Sequence, residues 1–380
     1  MAGVCTTLGY GGKRLYVYSG SDKKTHYLVF MTNMDVIQKG LNKISNAAQI
    51  GGIEISVLDN GLGRGTRIAW INTGSGLRYK VVIDRAMDIA DAFYNQHNIA
   101  WLSNPGVTAP DRFSKGMGWL RNFGGGLLTT CGLSHVGGPE SDEYGERGLH
   151  GLISNTPAEI ISIIQPDPAN GKLEMSITGI IKETQVFGPI LELRRTITGK
   201  LGEAKIVIID EVVNRSNTAS PHMLLYHINF GWPLVDKGSK LLWQGKWNSP
   251  TPDSPAKIFK EGIDFKTCPD ILAAHSGTGE DVAFIDIDAD EHGKAHCGIY
   301  NENLKLGVFL NFPKKQLPWL INWQHWGKNE YVTALEPATN PPIGQSNARE
   351  KKTLVVLEPG EKRTYRLELD VLEKNKMTNF

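Results

Sequence analysis

Short segments typical of β-strands follow one another along most of this 380-residue chain, and they constrain its fold more than any other feature. They are rich in β-branched and aromatic residues, and turn-forming breaks such as "PDPANGK" and "LEPGEKR" separate them. Almost no helical pattern lies between them to build the crossovers of a parallel sheet. The sequence therefore predicts an all-β protein, a large antiparallel β-sandwich over about 320 residues. Clear examples of these segments are "LRYKVVIDRAMDI", "ILELRRTITG", "KIVIIDEVVN" and "TYRLELDV".

One segment near the N-terminus has a helical period instead. In "MDVIQKGLNKISNAAQIGG" apolar residues recur at intervals of three and four, and Gly51 and Gly52 supply a stop. This pattern predicts an amphipathic helix packed on the main body. We expect residues 1–46 to form an N-terminal extension that carries the helix, and residues 47–380 to form one sandwich domain. The apolar positions are Met34, Ile37, Leu41, Ile44 and Ala48.

Composition narrows the classes of partner. The 41 basic and 40 acidic residues nearly cancel, and no basic stripe or acidic tail points to nucleic acid or a membrane surface. The 4 cysteines share no CxxC spacing, which argues against a disulfide framework or a zinc ribbon and favours the cytoplasm. No apolar run approaches the roughly 20 residues that span a bilayer. We therefore expect a soluble protein with a small neutral ligand.

Three histidines, His150, His222 and His227, and one glutamate are candidates for chemistry. His150 lies between glycines in the loop-like "ERGLHGLISNTPAE", where sites are often built. His227 lies on the strand "HMLLYHINF", on the face of Met223 and Leu225. Asn229, two residues on, is a candidate substrate-binding residue. Taken alone, His227 is as well explained by a half-buried histidine bonded to a backbone carbonyl.

Glu336 ends the strand-like run "EYVTALEP" among apolar neighbours. An acidic residue in such a place is either paired with a cation or functional, because desolvation raises its pKa. A carboxylate with a raised pKa makes a competent general base near neutrality. A structural ion pair with an arginine or lysine stays open as the alternative.

Arg85 and Asp88 form a further group in "VVIDRAMDIADAFYNQHNIAWLSNPG". Arg85 offers a fork of donors for sugar hydroxyls, and Phe93, Tyr94 and Trp101 could form a stacking wall for a sugar ring. Core aromatics and a surface ion pair explain the same pattern. The glycine-rich "NFGGGLLTTCG" lacks the spacing and setting of a phosphate loop, so it indicates a packed turn or a backbone lining a cavity.

Five motifs stand in a recognisable order: "RAMDI", "GGLLTTCGL", "LHGLISNTPAE", "YHINFGWPL" and "ALEPATNPP". In this order they resemble the aldose 1-epimerase (galactose mutarotase-like) superfamily, and within it a branch known only as a domain of unknown function. The resemblance runs from about Ala47 to Leu372. It implies a galactose mutarotase-like supersandwich that acts on sugars without a cofactor or a metal.

The resemblance also implies roles for individual residues. His150, followed by Gly151, is similar to the histidine-glycine pair that contacts the sugar in mutarotases. His227 resembles the histidine that protonates the ring oxygen, and Glu336 resembles the glutamate that removes the proton of the anomeric hydroxyl. Mutarotases also bind sugar hydroxyls through an aspartate, for which Asp253 is the candidate.

With Glu336 as base and protonated His227 as acid, the hemiacetal opens, the aldehyde rotates, and the ring closes on its other face. Each placed proton-transfer group contributes roughly 10² to 10⁴ in rate. The sequence thus predicts an aldose 1-epimerase-like enzyme acting on a monosaccharide or a sugar derivative. A non-catalytic carbohydrate-binding or sensing protein and a sugar isomerase stay open as alternatives, as does a homodimer.

Overall fold

The computed structural model describes residues 40–250 and 254–373, together with residue 37 and three short strands nearer the N-terminus. Those three strands form an antiparallel sheet in the order β1-β2-β3. Their bounds are Thr6–Tyr10 for β1, Lys13–Val17 for β2 and Val29–Thr32 for β3.

The predicted N-terminal helix is present but ends earlier than its apolar period suggests. Ile37, Gly40 and Leu41 are helical, whereas residues 33–36, 38 and 39 lie outside the described residues. Ile37 is buried and Leu41 packs against the same core, as expected for an amphipathic helix. Ala48 instead belongs to the 3-10 turn Ala47–Gln49, because the Asn46 side chain accepts a hydrogen bond from its backbone nitrogen at 2.9 Å. The predicted domain boundary at residue 47 stays a prediction.

A five-stranded antiparallel sheet follows, in which each strand pairs with the next along the chain. Its strands are β4 (Gly52–Val57), β5 (Arg67–Asn72), β6 (Leu77–Val82), β7 (Asp88–Tyr94) and β8 (His97–Asn98).

The later strands build the two large sheets and one hairpin. Their bounds are β9 (Thr129–Leu133), β10 (Glu140–Asp142), β11 (Gly145–Arg147), β12 (Glu159–Ile164), β13 (Glu174–Thr184), β14 (Ile190–Lys200), β15 (Lys205–Asn214), β16 (Ser220–Phe230), β17 (Lys240–Trp243), β18 (Gly245–Asn248), β19 (Asp281–Ile287), β20 (Lys294–Asn301), β21 (Leu306–Pro313), β22 (Trp319–Gly327), β23 (Glu330–Ala338), β24 (Val355–Leu357) and β25 (Lys362–Glu373).

The two large sheets confirm the predicted antiparallel sandwich. An 8-stranded sheet has the order β12-β13-β14-β15-β25-β21-β20-β17, and a 7-stranded sheet has the order β18-β19-β22-β23-β16-β24, with β9 also paired to β16. Strands β10 and β11 form a separate hairpin. Helical structure in the described chain is minor, and no helix there is long and apolar enough to cross a membrane. Besides the helical residues Ile37, Gly40 and Leu41 and the turn at Ala47–Gln49, it comprises the α-helices Trp119–Asn122 and Gln345–Glu350 and the 3-10 turns Gly61–Gly63, Ile153–Asn155, Pro168–Asn170 and Ala273–His275.

Strand β16 separates two apolar clusters by the alternation of its side chains. Leu224, Tyr226 and Ile228 belong to the main core, which also contains residues of the 8-stranded and five-stranded sheets. Met223 and Leu225 belong to a second cluster on the opposite face of the 7-stranded sheet. The alternation predicted for this strand is confirmed. It directs His227 away from the main core and towards the second cluster.

Candidate active site

His227 and Glu336 meet across the antiparallel pair β16–β23. Leu225 pairs with Ala338 and Ile228 pairs with Leu335, so the register sets His227 opposite Glu336. The His227 Nε2 and Glu336 Oε1 atoms are 3.3 Å apart. Both residues are nearly buried, at 6% and 3% exposure respectively. The two residues that the sequence proposed as acid and base are therefore adjacent.

Several polar atoms of this site have no hydrogen-bond partner among the described residues. They include Nδ1 of His227, Oε1 of Glu336 and Nδ1 of His150. The short His227–Glu336 approach thus lacks hydrogen-bond geometry. Buried side-chain polar atoms normally have partners, and exceptions cluster where a ligand or a catalytic role accounts for them. Three exceptions from three segments converge here.

His150 approaches the pair from a loop. Its backbone lies in the left-handed region at φ 57°, where its nitrogen donates to the Gly137 carbonyl and its carbonyl accepts from the Gly132 nitrogen. Its ring centroid lies 4.9 Å from that of Trp119 and 6.3 Å from that of His227. A strained loop conformation thus directs the imidazole towards the pair, as at many functional sites.

Aromatic rings line the approach to His227. The ring centroid of Phe123 lies 5.2 Å from that of His227, and the ring centroid of Trp323 lies 5.5 Å from it. Trp119 stacks on Phe123 at 4.3 Å, and Trp101 contacts Trp323 at 6.0 Å. Flat apolar rings around a few polar groups are typical of small-molecule sites.

Burial shifts the proton equilibria of the site towards neutral groups. It raises the pKa of the Glu336 carboxyl well above its ordinary value, and the Glu280 carboxylate raises it further. Burial lowers the pKa of His227 to about 4 and that of His150 to about 3. Burial therefore favours the neutral forms of both side chains, a protonated Glu336 carboxyl beside an unprotonated His227 imidazole.

Glu280, Trp119 and Phe123 are the parts of the site that sequence reasoning missed. The exposed Glu280 lies just before β19, and its Oε2 accepts a hydrogen bond from Trp323 Nε1 at 2.7 Å. An acidic residue after a Gly-rich loop is too common a pattern to have indicated this position. The earlier candidate Asp253 lies outside the described residues. No group of three His, Cys, Asp or Glu side chains in the described chain is arranged to hold a metal ion.

Comparison with known proteins identifies the family. The model of DUF4432, a domain of unknown function, matches residues 63–371. The chain belongs to the DUF4432 family. This confirms the branch that the sequence motifs suggested. No curated protein matches the sequence.

The fold of this DUF4432 protein recurs in solved structures of sugar epimerase relatives. A Klebsiella pneumoniae protein described provisionally as an aldose 1-epimerase aligns with a TM-score of 0.77 at 22% identity, over 88% of this chain and 86% of that one. A galactose mutarotase-like protein from Clostridium acetobutylicum has a TM-score of 0.58 at 12% identity, over 86% and 99%. A galactose 1-epimerase from Lactobacillus acidophilus has a TM-score of 0.55 at 11% identity, over 84% and 98%. At these identities the likeness shows the fold alone.

We call the rings of Trp101, Trp119, Phe123 and Trp323 the aromatic wall. Arg85 of the DUF4432 protein lies behind this wall. It is buried, and its donors reach the Ser154 carbonyl, the Thr108 hydroxyl at 2.7 Å and the Asn122 carbonyl at 2.9 Å. Asn122 ends the short helix that carries Trp119. The guanidinium therefore ties together the segments that position the wall.

Asp88 lies on the core side of the sandwich, away from the His227–Glu336 pair. Its carboxylate accepts hydrogen bonds from the Thr130 nitrogen and hydroxyl, and it lies 3.1 Å from Arg195. Arg195 is fully buried and also pairs with Asp210, whose other partner is the Tyr226 hydroxyl. This ionic network joins β7, β14, β15, β9 and β16. Its location behind β16 supports the strand that carries His227.

The remaining residues that the sequence singled out are Asn229, the glycine-rich stretch, Phe93 and Tyr94. Asn229 is fully buried, and its amide donates to the Gly126 and His227 carbonyls at 3.0 Å each. In the glycine-rich stretch, Gly124 to Gly126 form a packed turn, one of the two predicted structures, since a Cβ on any of them would collide with neighbouring backbone. The stretch then continues into β9. Phe93 and Tyr94 do not join Trp101: Arg78 lies over Phe93, and the Tyr94 hydroxyl donates to Glu373.

Proposed function

We propose that this DUF4432 protein interconverts the anomers of a sugar, as an aldose 1-epimerase-like enzyme acting on a monosaccharide or a sugar derivative. The observation that carries the proposal is the His227–Glu336 pair, two buried groups 3.3 Å apart, each with an unpartnered polar atom, with the rings of Phe123 and Trp323 beside His227. The two oxygens that gain or lose a proton in mutarotation, the ring oxygen and the anomeric oxygen, are both bonded to C1. Groups this close can therefore contact both oxygens at once.

The pair can run the reaction with its single shared proton. Glu336 donates that proton to the ring oxygen while the C1–O5 bond breaks, and His227 accepts the proton of the anomeric hydroxyl. The open aldehyde then rotates about the C1–C2 bond. Ring closure on the other face returns both protons. The hydroxyl that becomes the ring oxygen gives its proton back to Glu336, and His227 gives its proton to the anomeric oxygen. The pair is thus restored without any external acid or base.

This starting state differs from the one that the resemblance implied. There Glu336 is the base and protonated His227 the acid. Both versions contain one proton, and they differ only in which group holds it before the ring opens. Burial of both groups favours the neutral pair, since an ionised carboxylate beside an imidazolium costs desolvation on both sides. The neutral pair is the form we propose for the ligand-free protein.

The surrounding residues have supporting roles in this proposal. The rings of Trp119, Phe123 and Trp323 stack on the faces of the sugar, while His150 and Glu280 bind its hydroxyls. Because the indole of Trp323 holds one oxygen of Glu280, the other oxygen is oriented to accept from a ligand. Arg85 acts as a positioning residue through the short helix that carries Trp119.

The test is exchange spectroscopy by NMR on the α and β anomers of a panel of hexoses, pentoses and uronates. Wild type is compared with Glu336→Gln, His227→Asn and the control Glu174→Gln, which changes an exposed glutamate of β13. We expect one or more sugars to exchange faster with wild type and the control, and at least about a hundredfold more slowly with either site variant. Full activity of Glu336→Gln would contradict the proposal. Binding without exchange in wild type would instead identify a carbohydrate-binding protein.

A further inference from the structure

A cavity lies beside the proposed catalytic site, at the end of β16 and the beginning of β23. Its volume is about 520 Å³, within the range of ligand pockets, which is roughly 300 to 1,000 Å³. Trp101, Gly231, Trp232, Ile271 and Tyr331 contribute to its wall. We call this cavity the Trp232 pocket. His227 and Glu336 do not line it.

The Trp101 side chain borders both the Trp232 pocket and the proposed catalytic site. It lines the Trp232 pocket, while its ring lies 5.7 Å from Phe123 and 6.0 Å from Trp323 in the catalytic site. The strand gives the spacing, since His227 and Gly231 are four residues apart on β16 and its extension, or about 13 Å. One pyranose ring cannot reach across that distance. A ligand that occupies both places must therefore have more than one unit.

The lining of the Trp232 pocket favours an uncharged, hydroxyl-rich unit. Trp232 is 69% exposed and Ile271 is 57% exposed, so the pocket offers a flat apolar surface to solvent. Of the charged residues lining it, Lys237 is paired with Asp270 at 2.6 Å, and Asp236 adds a second carboxylate. The resulting excess of negative charge disfavours a phosphate or a uronate. A tryptophan surface beside carboxylate and amide groups suits the apolar face and the hydroxyls of a sugar ring.

We propose that the Trp232 pocket binds the neutral sugar units that follow the reducing-end ring held at His227 and Glu336. The substrate class is then a reducing oligosaccharide, whose free anomeric hydroxyl lies in the catalytic site. This inference rests on the proposed function and extends it from a single ring to a longer chain.

The experiment is isothermal titration calorimetry on the full chain with glucose and galactose, and with maltose, maltotriose, cellobiose, cellotriose and lactose. The variants are Trp232→Ala and Ile271→Ala, with Phe187→Ala as the control, because Phe187 is a fully exposed aromatic on a separate hairpin. We expect at least one oligosaccharide to bind roughly tenfold more tightly than its reducing-end monosaccharide, the equivalent of about 1.4 kcal/mol. Trp232→Ala and Ile271→Ala should reduce that preference without weakening the monosaccharide, and Phe187→Ala should leave it unchanged.

Each other outcome has a defined meaning when the same sugars are followed by NMR exchange. If monosaccharides exchange but no oligosaccharide is preferred, or if Trp232→Ala weakens both kinds of sugar equally, the pocket proposal is overturned and the catalytic proposal stands. A preference for oligosaccharides that depends on Trp232, without anomer exchange, supports the pocket and overturns the catalytic proposal. Absence of both binding and exchange across the panel overturns both.

Discussion

At the scale of single residues, the burial of Glu336 has a cost in stability. It is 3% exposed, and its Oε1 has no hydrogen-bond partner among the described residues. Burial raises its pKa above the ordinary value of 4.5. A carboxyl whose pKa is raised on folding favours the folded state while it is protonated. This contribution is fully present below the unfolded pKa and is lost as pH rises through the folded pKa.

The stability of Glu336→Gln relative to that of wild type should therefore be greater at pH 8 than at pH 4.5. The amide keeps the size of the side chain and cannot ionise. Thermal unfolding of both proteins across this pH window measures the difference in Tm. The exposed Glu174→Gln should show no such trend. A difference that does not depend on pH would mean that the folded carboxyl has an ordinary pKa.

The pH dependence of anomer exchange follows from the same pair. Activity should fall below about pH 4, where His227 becomes protonated, and again on the alkaline limb, as pH rises through the raised pKa of Glu336. Because the Glu280 carboxylate raises the pKa of Glu336, Glu280→Gln should move the alkaline limb of kcat/KM to lower pH while the acidic limb stays in place. An alkaline limb that stays fixed or moves to higher pH would exclude this electrostatic role for Glu280.

At the scale of structural elements, the segment between β8 and β9 builds most of the aromatic wall. Its tight turn at Gly125 brings the backbone against Trp101, and the short helix Trp119–Asn122 presents Trp119. A Cβ at Gly125 would lie 2.6 Å from the Trp101 carbonyl oxygen and 2.8 Å from a ring carbon. The position of Trp101 therefore depends on the absence of a side chain at residue 125.

Gly125→Ala should cost more stability than Gly116→Ala. Both glycines have positive φ, at 68° and 53°, so each substitution meets the left-handed penalty of about 1–2 kcal/mol. A Cβ at Gly116 meets nothing within 4 Å, whereas at Gly125 the collision adds overpacking of about 1–3 kcal/mol. Urea unfolding of the two variants isolates the collision. Equal losses would show that the loop relaxes and that Trp101 is not held there.

Arg85→Met should loosen the wall from behind. Each carbonyl left unpaired costs about 1–3 kcal/mol, so the variant should be less stable than Arg121→Met, which changes an exposed arginine of the same short helix. The positioning role predicts in addition a several-fold rise in KM with little change in kcat for the sugar found by NMR, and partial rescue by Arg85→Lys. A loss of stability with unchanged KM would assign Arg85 a purely structural role.

At the scale of the whole molecule, buried histidines make the stability of the packed sheets depend on pH. His222 bonds through Nδ1 to the Leu133 carbonyl at 3.0 Å and through Nε2 to the Tyr365 hydroxyl at 2.7 Å, so it joins the 7-stranded sheet to the 8-stranded sheet. Burial lowers its pKa from 6.5 to about 4. The unfolded chain therefore binds a proton at a higher pH than the folded protein does.

The free energy of unfolding should consequently fall as pH decreases from about 6.5 to 4, by on the order of 3 kcal/mol for His222. His150 and His227 act in the same direction, since their pKa values are also lowered. Urea unfolding at several pH values measures the slope. His222→Gln should flatten it, and His292→Gln, at an exposed histidine, should not. An unchanged slope in His222→Gln would place the acid sensitivity elsewhere.

The sequence by itself determined the all-β class, the antiparallel sandwich and the face of β16 that carries His227. These follow from local rules, because alternating side chains and turn residues act over a few positions. The sequence motifs also predicted the types of the paired groups, histidine and glutamate. The helical period near the N-terminus gave a helix but not its end, since the Asn46 side chain bonds to the backbone and favours a turn.

Only the tertiary structure decided which distant residues meet. The register of β16 against β23 sets His227 opposite Glu336, and sheet packing sends Asp88 to Arg195 in the core. Glu280 reaches the site through the pairing of β19 with β22, which brings it to Trp323. Strand register and sheet packing depend on contacts far apart in the chain, and no local pattern specifies such contacts.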